Sequence, residues 1–435
     1  MGVLGVVNSD PAVKRLVETA LTASPRIKYE PRFFSGKDEI REFLAYDLPE
    51  LVIINFSDPD LDIDWLISLI RDDKWILNFG ILGLYSAERD TEEALLKRCK
   101  AINVIAMLDY QRIRSHLIKS LQIIEQNYQL IFQREFSRNL LDGASGSFTI
   151  ENDILAIPIY AGVGATILSQ RGLINPDNKM HLQLALGELI VNAVEHGNCG
   201  ITYEEKSMGM ENGFSVVELV AERCKDPLIR NKKVEFLWDI HPEESVFVIR
   251  DEGEGFDVRA YLQKVAAQDK LSLHGRGIRM ASVLSTELKY NAKGNQVTLV
   301  LKHDTLVEQE IPAGFSKEQV VNVKKGDIVL REDEPSDYLY YIVSGKYSVF
   351  HNLKQVGTLS PQDIFMGEIA FLLNQRRSAS VRAESMGKLI LLTRKTFINI
   401  IREYPHYGIF LSKLLAKRLV RSNDQNAALM AKVRT

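Results

Sequence analysis

Hydrophobic and polar positions follow three successive patterns along the chain. Over the first 110 residues, short β-rich apolar runs alternate with amphipathic stretches, the pattern typical of a parallel α/β sheet. The apolar runs are Val3–Val7, Leu51–Asn55, Ile81–Tyr85 and Val104–Met107. Residues 111–141 lack proline and glycine and repeat apolar side chains at helical spacing, so they predict one long helix.

The two later patterns indicate further domains. Two helical stretches precede β segments at Val234–Ile240 and Ser245–Asp251, and glycine-rich turns follow. After about residue 305, short strands broken by glycine and aspartate predict a small β-barrel, with a helical tail from Lys395 onward. We therefore expect a multidomain protein of α/β and α+β class. The expected domains are 1–110, 142–304 and 305–435, with a linker helix over 111–141.

Composition and charge narrow the class of protein. The net charge of −3 is spread over interspersed charges, so no clustered basic face points to nucleic acid. The three cysteines (Cys99, Cys199 and Cys224) are too scattered for a disulfide framework or a zinc site, which fits a reducing cytosol. No apolar stretch is long enough to cross a bilayer, and the N-terminus lacks the pattern of a secretory signal. We expect a cytoplasmic protein with no membrane and no nucleic-acid partner.

Neutral residues stand at the strand ends of the N-terminal segment. Asn55 ends its apolar run, Asn8 and Ser9 follow the first run, and Met107 ends the fourth. The segment resembles the receiver domain of response regulators, which has a flavodoxin-like fold. That resemblance implies an acceptor carboxylate at Asn55, an acidic pair at Asn8 and Ser9, and a lysine at Met107. Because an amide is a poor nucleophile and a weak substitute for a carboxylate metal ligand, we expect a pseudo-receiver that serves as a scaffold or dimerisation domain.

Three motifs occur in order in the central segment. The sequence LALGELIVNAVEHGN predicts a helix on which Glu188, Asn192 and Glu195 share a face. RDEGEGFD follows a β run, and HGRGIRM precedes an apparent helix whose glycine amides would suit a phosphate. The ordered set resembles the ATPase superfamily of gyrase, the large heat-shock chaperones, histidine kinases and MutL. Within it, the motifs are most similar to the anti-sigma-factor serine kinases, an α/β-sandwich fold.

That resemblance, over residues 145–304, implies a site for ATP and Mg²⁺. Glu188 would act as the general base, and Asn192 would offer its amide oxygen to Mg²⁺. Asp251 would accept a hydrogen bond from the adenine amino group. The implied ATP-binding residues are Asn192, Asp251, Gly253, Gly255, Gly275, Arg276 and Gly277. Asn295 departs from the family, which usually has threonine there, and residues 201–231 form an insertion with a predicted helix at Phe214–Arg223.

The C-terminal segment carries a fourth motif, FMGEIAFLLNQRRSASVRA. It resembles the cyclic nucleotide-binding domain of the cAMP receptor protein and of the protein kinase A regulatory subunit, a jelly-roll β-barrel with helices. The resemblance implies cAMP or cGMP as ligand, with Arg377 on the cyclic phosphate and Glu368 on the ribose 2′-hydroxyl. Arg376 is an alternative phosphate partner. The implied binding residues are Gly367, Glu368, Ile369, Arg377, Ser378 and Ala379.

Together the resemblances imply a signalling regulator. We expect a cyclic-nucleotide-responsive serine/threonine kinase of the partner-switching type, forming a homodimer and acting on a protein partner such as the antagonist of an anti-sigma factor. A non-catalytic ATP-dependent module that sequesters a partner, such as a sigma factor, is one alternative. A degenerate histidine kinase is another, although His116 lacks the acidic residue directly after it and the downstream proline of a phosphoacceptor helix. We also expect the tail helix Phe410–Lys432 to couple the two ligand sites.

Overall fold

The structure, a computed structural model, divides the chain into two compact units. It describes residues 2–23, 29–73, 77, 79–127, 131, 144–241, 243–258, 287–303 and 311–416. The first unit takes in the described parts of Met1–Phe34, Leu51–Ile63 and Gly80–Val307. The second takes in the described parts of Ser35–Glu50, Asp64–Phe79 and Glu308–Thr435. No helix within these described ranges is long and apolar enough to span a bilayer.

The N-terminal sheet consists of five parallel strands in the order β2-β1-β3-β4-β5. They are β1 (Gly2–Val7), β2 (Tyr29–Phe34), β3 (Leu51–Asn55), β4 (Gly80–Tyr85) and β5 (Val104–Asp109). This order is that of a flavodoxin-like fold, so the expected fold class is confirmed here. The sequence did not predict β2, because Pro31 interrupts its apolar pattern. Proline is tolerated on an edge strand, and β2 is one.

Five helices belong to the same segment. They are α1 (Pro11–Thr22), α2 (Lys37–Glu42), α3 (Ile63–Asp72), α4 (Glu92–Arg98) and α5 (Ile113–Gln126). Asp10 caps α1 by accepting a hydrogen bond from the Ala12 amide, and Pro11 occupies the first turn, where its missing N–H costs nothing. The helix predicted over 111–141 is confirmed for Ile113–Gln126, where it packs against α1. The described helix ends at Gln126 with Asn127 as its C-cap, and residues 128–130 and 132–141 of the prediction lie outside the described residues.

The first unit also contains an antiparallel sheet that packs against two long helices. The sheet order is β6-β7-β8-β10-β9, made by β6 (Ala144–Ile150), β7 (Val234–Ile240), β8 (Glu244–Arg250), β9 (Glu287–Tyr290) and β10 (Gln296–Lys302). Its buried face shares one hydrophobic core with α6 (Ile157–Gln170) and α7 (Pro176–Asn192). The expected α/β sandwich is therefore present. The insertion forms three helices, α8 (Tyr203–Glu211), α9 (Val216–Arg223) and α10 (Pro227–Arg230).

The C-terminal segment forms two four-stranded antiparallel sheets with the orders β11-β18-β13-β16 and β12-β17-β14-β15. The strands are β11 (Gln319–Val323), β12 (Ile328–Leu330), β13 (Tyr338–Ser344), β14 (Tyr347–His351), β15 (Lys354–Leu359), β16 (Phe365–Met366), β17 (Ser380–Ala383) and β18 (Gly387–Thr393). A core that includes Ile342, Tyr347 and Leu389 fills the barrel. Two helices accompany it, α11 (Glu368–Leu373) and α12 (Arg394–Glu403), and residues 405–416 are helical. The predicted jelly roll is confirmed.

The helical residues 405–416 contact the receiver-like residues of their own unit. The Tyr407 hydroxyl donates to Asp73 Oδ1 at 2.6 Å, and His406 Nε2 lies 3.3 Å from Asp73 Oδ2. Lys413 Nζ donates to the Asp47 carbonyl. The Tyr407 ring also packs edge-on against Phe315, so one tyrosine contacts both Phe315 and Asp73, the residue that follows α3. The part of the predicted tail helix beyond residue 416 lies outside the described residues.

Candidate functional site

Asn8, Asn55 and Tyr110 form a hydrogen-bonded network of neutral side chains at the carboxyl end of the parallel sheet, and the Asp58 carboxylate binds Ser9 there. Asn55 Nδ2 donates to Asn8 Oδ1 at 2.8 Å, and the Tyr110 hydroxyl donates to Asn55 Oδ1 at 2.7 Å. Asp58 accepts hydrogen bonds from both the amide and the hydroxyl of Ser9 at 2.6 and 2.7 Å. The residues expected at the lost phosphorylation site are thus present but bonded to one another.

Tyr110 is a member of this network that the sequence reasoning missed. The lysine position was expected at Met107, but the Met107 side chain is buried beside Gly83 instead. Tyr110 follows β5 directly, so its side chain reaches the strand end where Asn55 lies. Its position three residues after the apolar run Val104–Met107 was the signal available in the sequence.

The end of α7 carries the first ATP-type motif. Glu188 is exposed and Asn192 is half-buried, one helical turn later. At Ala193 the α-helix gives way to a π-helical turn, Ala193–Asn198, and Glu195 is 0% exposed. The prediction that Glu195 shares a face with Glu188 and Asn192 was therefore wrong, because the wider turn carries Glu195 into the interior.

The buried Glu195 connects this helix end to the insertion. Lys206 of α8 donates to Glu195 Oε2 at 2.9 Å, while Oε1 faces His196 Nε2 at 3.4 Å. His196 Nδ1 lies 2.6 Å from the Ile201 carbonyl oxygen. A buried carboxylate needs such a partner, since an unpaired buried charge costs several kcal/mol by the usual estimate of about 3–5. The insertion helix α8 is thereby tied to the ATP-type motif.

The loop after β8 carries the second motif and lies against the end of α7. The Asp251 side chain is 9% exposed, and its Oδ1 accepts the Gly253 amide at 2.8 Å. A Cβ on Gly197 would lie 2.4 Å from Asp251 Cγ, and one on Gly253 would lie 2.3 Å from the Gly197 carbonyl oxygen. Gly255 has a φ of +82°, and its Cβ would lie 1.9 Å from the Lys293 carbonyl oxygen. These contacts permit only glycine at all three positions.

Burial raises the pKa of the Asp251 carboxyl, while the Gly253 amide and the Lys293 charge act in the opposite direction. A carboxylate offers about four acceptor positions, so the single bond to Gly253 leaves capacity for an amino-group donor. The remaining acceptor capacity of this carboxylate suits the amino group of an adenine. Half-buried Asn192 and exposed Glu188 on the neighbouring helix fit a hard cation and a proton acceptor, respectively. Gly275, Arg276 and Gly277, the implied phosphate residues, lie outside the described residues.

Amide side chains hold this loop in place, and the sequence reasoning credited none of them with that role. Asn198 Oδ1 accepts the Glu252 amide at 2.8 Å, and Asn198 Nδ2 donates to Asn152 Oδ1 at 2.8 Å. Asn295, which departs from the family's threonine, donates to the Asp251 carbonyl at 2.9 Å. The Asn295 carbonyl in turn accepts the Asp251 amide at 3.0 Å. Asn295 thus fixes the backbone of the aspartate that the motif supplies.

His116 lies in a closed cluster. Its Nδ1 is 2.6 Å from Ser115 Oγ, and its Nε2 is 3.3 Å from Asp153 Oδ1. Lys119 Nζ donates to the other Asp153 oxygen at 2.7 Å. Burial alone would raise the pKa of the Asp153 carboxyl, but the hydrogen bonds from His116 and Lys119 outweigh it and lower that pKa. The cluster joins α5 to the residues just before α6.

The C-terminal motif forms a cradle around a buried guanidinium. Arg377 is 4% exposed, and its Nη1 donates to the Gly367 carbonyl at 2.8 Å while Nη2 donates to the Tyr338 carbonyl. Gly367 has a φ of +79°, and a Cβ there would lie 2.2 Å from Arg377 Nη1. Burial lowers the pKa of Arg377, and the nearby charges of Asp337 and Glu368 act in the opposite direction. With five N–H donors, the guanidinium keeps capacity for an anion.

The other residues of that motif surround the same cradle. Glu368 is buried at the first position of α11, and Ile369 is exposed on it. Ser378 is exposed and Ala379 is half-buried beside Arg377. Arg376, the alternative phosphate partner, is exposed and donates to the Asp333 carbonyl at 2.6 Å. Of the two arginines, only Arg377 is buried in the cradle.

Two family models match this chain. The model described as a histidine kinase-like ATPase domain matches residues 161–301. The model described as a cyclic nucleotide-binding domain matches residues 320–404. The first range contains α7 and the Asp251 loop, and the second contains the Arg377 cradle.

The chain spans less than two thirds of the length of each similar protein named here. It is 37% identical over 110 residues to the cGMP-dependent protein kinase of Plasmodium berghei (strain Anka), covering 25% of this chain and 12% of that protein. It is 39% identical over 79 residues to the cAMP-dependent protein kinase type II regulatory subunit of Drosophila melanogaster, covering 18% of this chain and 21% of that protein. The crystal structure of Thermus thermophilus catabolite activator protein is 28% identical, with a TM-score of 0.25, covering 27% of this chain and 57% of that one.

The neutral network predicts that the N-terminal domain does not accept a phosphoryl group. Acetyl phosphate and Mg²⁺ should leave no hydroxylamine-labile phosphate on residues 1–110, because the Asn55 amide is not a nucleophile and is held by Asn8 and Tyr110. A receiver domain with an intact acceptor aspartate is the positive control. An acyl phosphate located in these residues by mass spectrometry would contradict the prediction.

Gly255→Ala should disrupt the cradle around Asp251, and Gly213→Ala is its matched control. Both glycines have a φ of +82°, but nothing lies within 4 Å of a Cβ on Gly213, whereas a Cβ on Gly255 meets the Lys293 backbone. Both variants should lose about 1–2 kcal/mol of stability from the left-handed backbone. Only Gly255→Ala should also weaken ATP binding, by about tenfold or more, which is at least about 1.4 kcal/mol. Calorimetry measures this, and equal ATP affinities of the two variants would refute it.

Proposed function

We propose that this chain, which joins a histidine kinase-like ATPase domain to a cyclic nucleotide-binding domain, is a serine/threonine protein kinase whose activity a cyclic nucleotide sets. Its substrate is a small protein partner of the partner-switching type, such as the antagonist of an anti-sigma factor. It acts in the cytoplasm as a homodimer. The cytoplasmic assignment is supported by its three free cysteines, since disulfides are rare in that compartment.

One observation carries the kinase proposal. The end of α7 and the Asp251 loop meet at glycines that leave no room for side chains, while Glu188 on the same helix stays exposed. A carboxylate that is accessible and anchored on a rigid helix can approach a hydroxyl group of another protein.

Each residue has a distinct role in this proposal. Asp251 would orient the adenine by accepting a hydrogen bond from its amino group. Asn192 would hold Mg²⁺ through a neutral oxygen that does not repel phosphate. Bound MgATP supplies the γ-phosphoryl group. Glu188 takes the proton from the attacking serine or threonine hydroxyl. Arg276, between Gly275 and Gly277, balances charge on the phosphates.

The insertion supports a second candidate, a non-catalytic module that sequesters its partner in an ATP-dependent way. Large apolar side chains on and beside its helices are exposed, and partner-binding surfaces are commonly built from such residues. They are Tyr203, Met208, Phe214 and Leu228. The Glu195–Lys206 pair ties this surface to the ATP-type motif, so nucleotide binding and partner binding have a physical connection.

Cyclic nucleotide binding is proposed at the Arg377 cradle. Arg377 would pair with the cyclic phosphate beside the Ser378 hydroxyl and the Ala379 amide, and Glu368 would accept the ribose 2′-hydroxyl. The two curated relatives are a cGMP-dependent kinase and a cAMP-dependent kinase subunit by name, so both nucleotides are candidates. The third candidate function, a degenerate histidine kinase, has less support, because His116 is engaged with Ser115 and Asp153.

Glu188→Gln should separate ATP binding from phosphotransfer. With labelled ATP and candidate antagonist proteins, it should keep ATP affinity within about threefold and lower phosphotransfer by about 10²–10⁴-fold, the usual share of a general base. Asp251→Asn should lose ATP binding itself. Glu222→Gln, an exposed helical glutamate of the insertion, is the matched control and should change neither quantity.

The outcomes of that experiment separate the candidates. Wild-type protein that binds both ATP and a partner without transferring phosphate would favour the sequestering module. Wild-type protein and Asp251→Asn with equal ATP affinities would refute the assigned pocket.

Cyclic nucleotide and ATP should alter each other's affinity by the same factor, because binding linkage is reciprocal. Typical coupling of about 1–3 kcal/mol corresponds to about 5–150-fold. Residues 405–416 support this, since Tyr407 and Lys413 join the barrel's helices to receiver-like residues of their unit. Arg377→Ala should abolish the effect and keep basal ATP affinity, and exposed Arg376→Ala is the matched control. Calorimetry of each ligand at saturation with the other measures it. Unchanged affinities and phosphotransfer would show that the C-terminal domain does not regulate the ATPase domain.

A further inference from the structure

The edge strand of the receiver-like sheet is capped by the ATPase-like domain. β5 has one strand neighbour in the described sheet, β4, so its other edge presents backbone groups that need partners. The elements that cover this edge are α6 and α7, which belong to the same compact unit. The two domains therefore meet at backbone carbonyl groups of β5.

Two buried side chains of α7 supply the hydrogen bonds. Lys179 Nζ donates to Asn103 Oδ1 at 2.6 Å and to the Val104 carbonyl at 3.0 Å. Gln183 Nε2 donates to the Ile105 carbonyl at 3.1 Å. Lys179 is 6% exposed and Gln183 is 5% exposed. Their spacing of four residues places both on one face of the helix, which follows the strand.

A glycine on α6 allows the close approach. A Cβ on Gly162 would lie only 1.7 Å from the Ile105 carbonyl oxygen, so the helix backbone and the strand backbone are nearly in contact there. Such a contact tolerates little sliding, because packed backbones have no side chain to rearrange. The joint between β5 and the two helices is consequently tight as well as hydrogen-bonded.

The same helix carries the proposed catalytic and metal-binding residues. At a rise of 1.5 Å per residue, Gln183 lies about 8 Å before Glu188 and about 14 Å before Asn192 along α7. A displacement at the anchored end therefore reaches both residues, and a misplacement of about 1 Å can cost about 10²-fold in rate. The receiver-like domain, which contains β5, has its own hydrogen-bond network at Asn8, Asn55 and Tyr110.

We propose that the receiver-like domain is a fixed brace for the ATP site, with Lys179 and Gln183 as the positioning residues that hold α7 to it. This inference rests on the proposed ATP-binding function. It assigns the domain a role that does not require phosphorylation.

Lys179→Met and Gln183→Met test the brace, because methionine conserves side-chain volume and removes the donors. Lys100→Met is the matched control, since it removes an exposed ion pair to Asp177 between the same two domains. ATP affinity is measured with Mg²⁺ and with EDTA, adenosine affinity alongside, and amide hydrogen exchange over residues 184–192.

Both brace variants should lower the Mg²⁺-dependent gain in ATP affinity by about tenfold or more. Adenosine affinity should stay within about threefold, and exchange over 184–192 should be faster. Lys100→Met should match the wild type in all four measurements. This pattern follows because Asn192 is on α7, whereas Asp251 is on the loop after β8.

Two results would overturn the brace. In the first, both variants fold, and neither the Mg²⁺-dependent gain in ATP affinity nor the amide hydrogen exchange over residues 184–192 changes. The other is a parallel loss of ATP and adenosine affinity together with a lower Tm, which would make both residues merely structural. If the wild type binds no ATP, the proposed function fails, and hydrogen exchange over 184–192 still decides whether Lys179 and Gln183 brace α7.

Discussion

The first unit depends on a close contact between the residues that follow α7 and the loop after β8, where glycines leave no room for side chains. Gly197, at the end of α7, touches Asp251 and Gly253 in the loop after β8 so closely that a methyl group at either glycine would collide with its neighbour. The loop and the residues that follow α7 are therefore packed directly against each other. Because Asp251 is largely buried in that contact, its carboxylate is directed by packing as well as by its bond to the Gly253 amide.

Helix α7 is held near both ends, and most of the side chains between them are buried. Its first half is anchored to β5 through Lys179 and Gln183, and the residues after it are anchored through Asn198 to the Glu252 amide. Both anchors are polar contacts in buried surroundings, where an unmade hydrogen bond costs about 1–3 kcal/mol. Glu188 lies between them and is exposed. A reacting group that must keep its direction and still meet a partner protein needs a helix that is held in place and a side chain that is exposed.

Periodicity predicted regular elements well and local turns poorly. The buried strands Leu51–Asn55 and Val234–Ile240 were predicted to the residue, because continuous or alternating apolar runs encode burial directly. The face of Glu195 was mispredicted, since nothing in AVEHGN distinguishes a π-turn from an α-turn. Motif glycines could be named from sequence, but the supporting amides of Asn198 and Asn295 could not. Their partners lie tens of residues away and become neighbours only through sheet pairing.

Charge distinguishes the receiver-like strand end from the Arg377 cradle. At the receiver-like strand end, Asn8, Asn55 and Tyr110 hydrogen-bond one another as neutral groups, so these three side chains offer an arriving anion no positive charge to pair with. The Arg377 cradle is the opposite case, because its guanidinium stays charged while backbone carbonyls provide its hydrogen bonds. Carbonyl dipoles stabilise a buried cation without neutralising it. An anionic ligand therefore has a full charge to pair with at Arg377, in a place already shaped by Gly367.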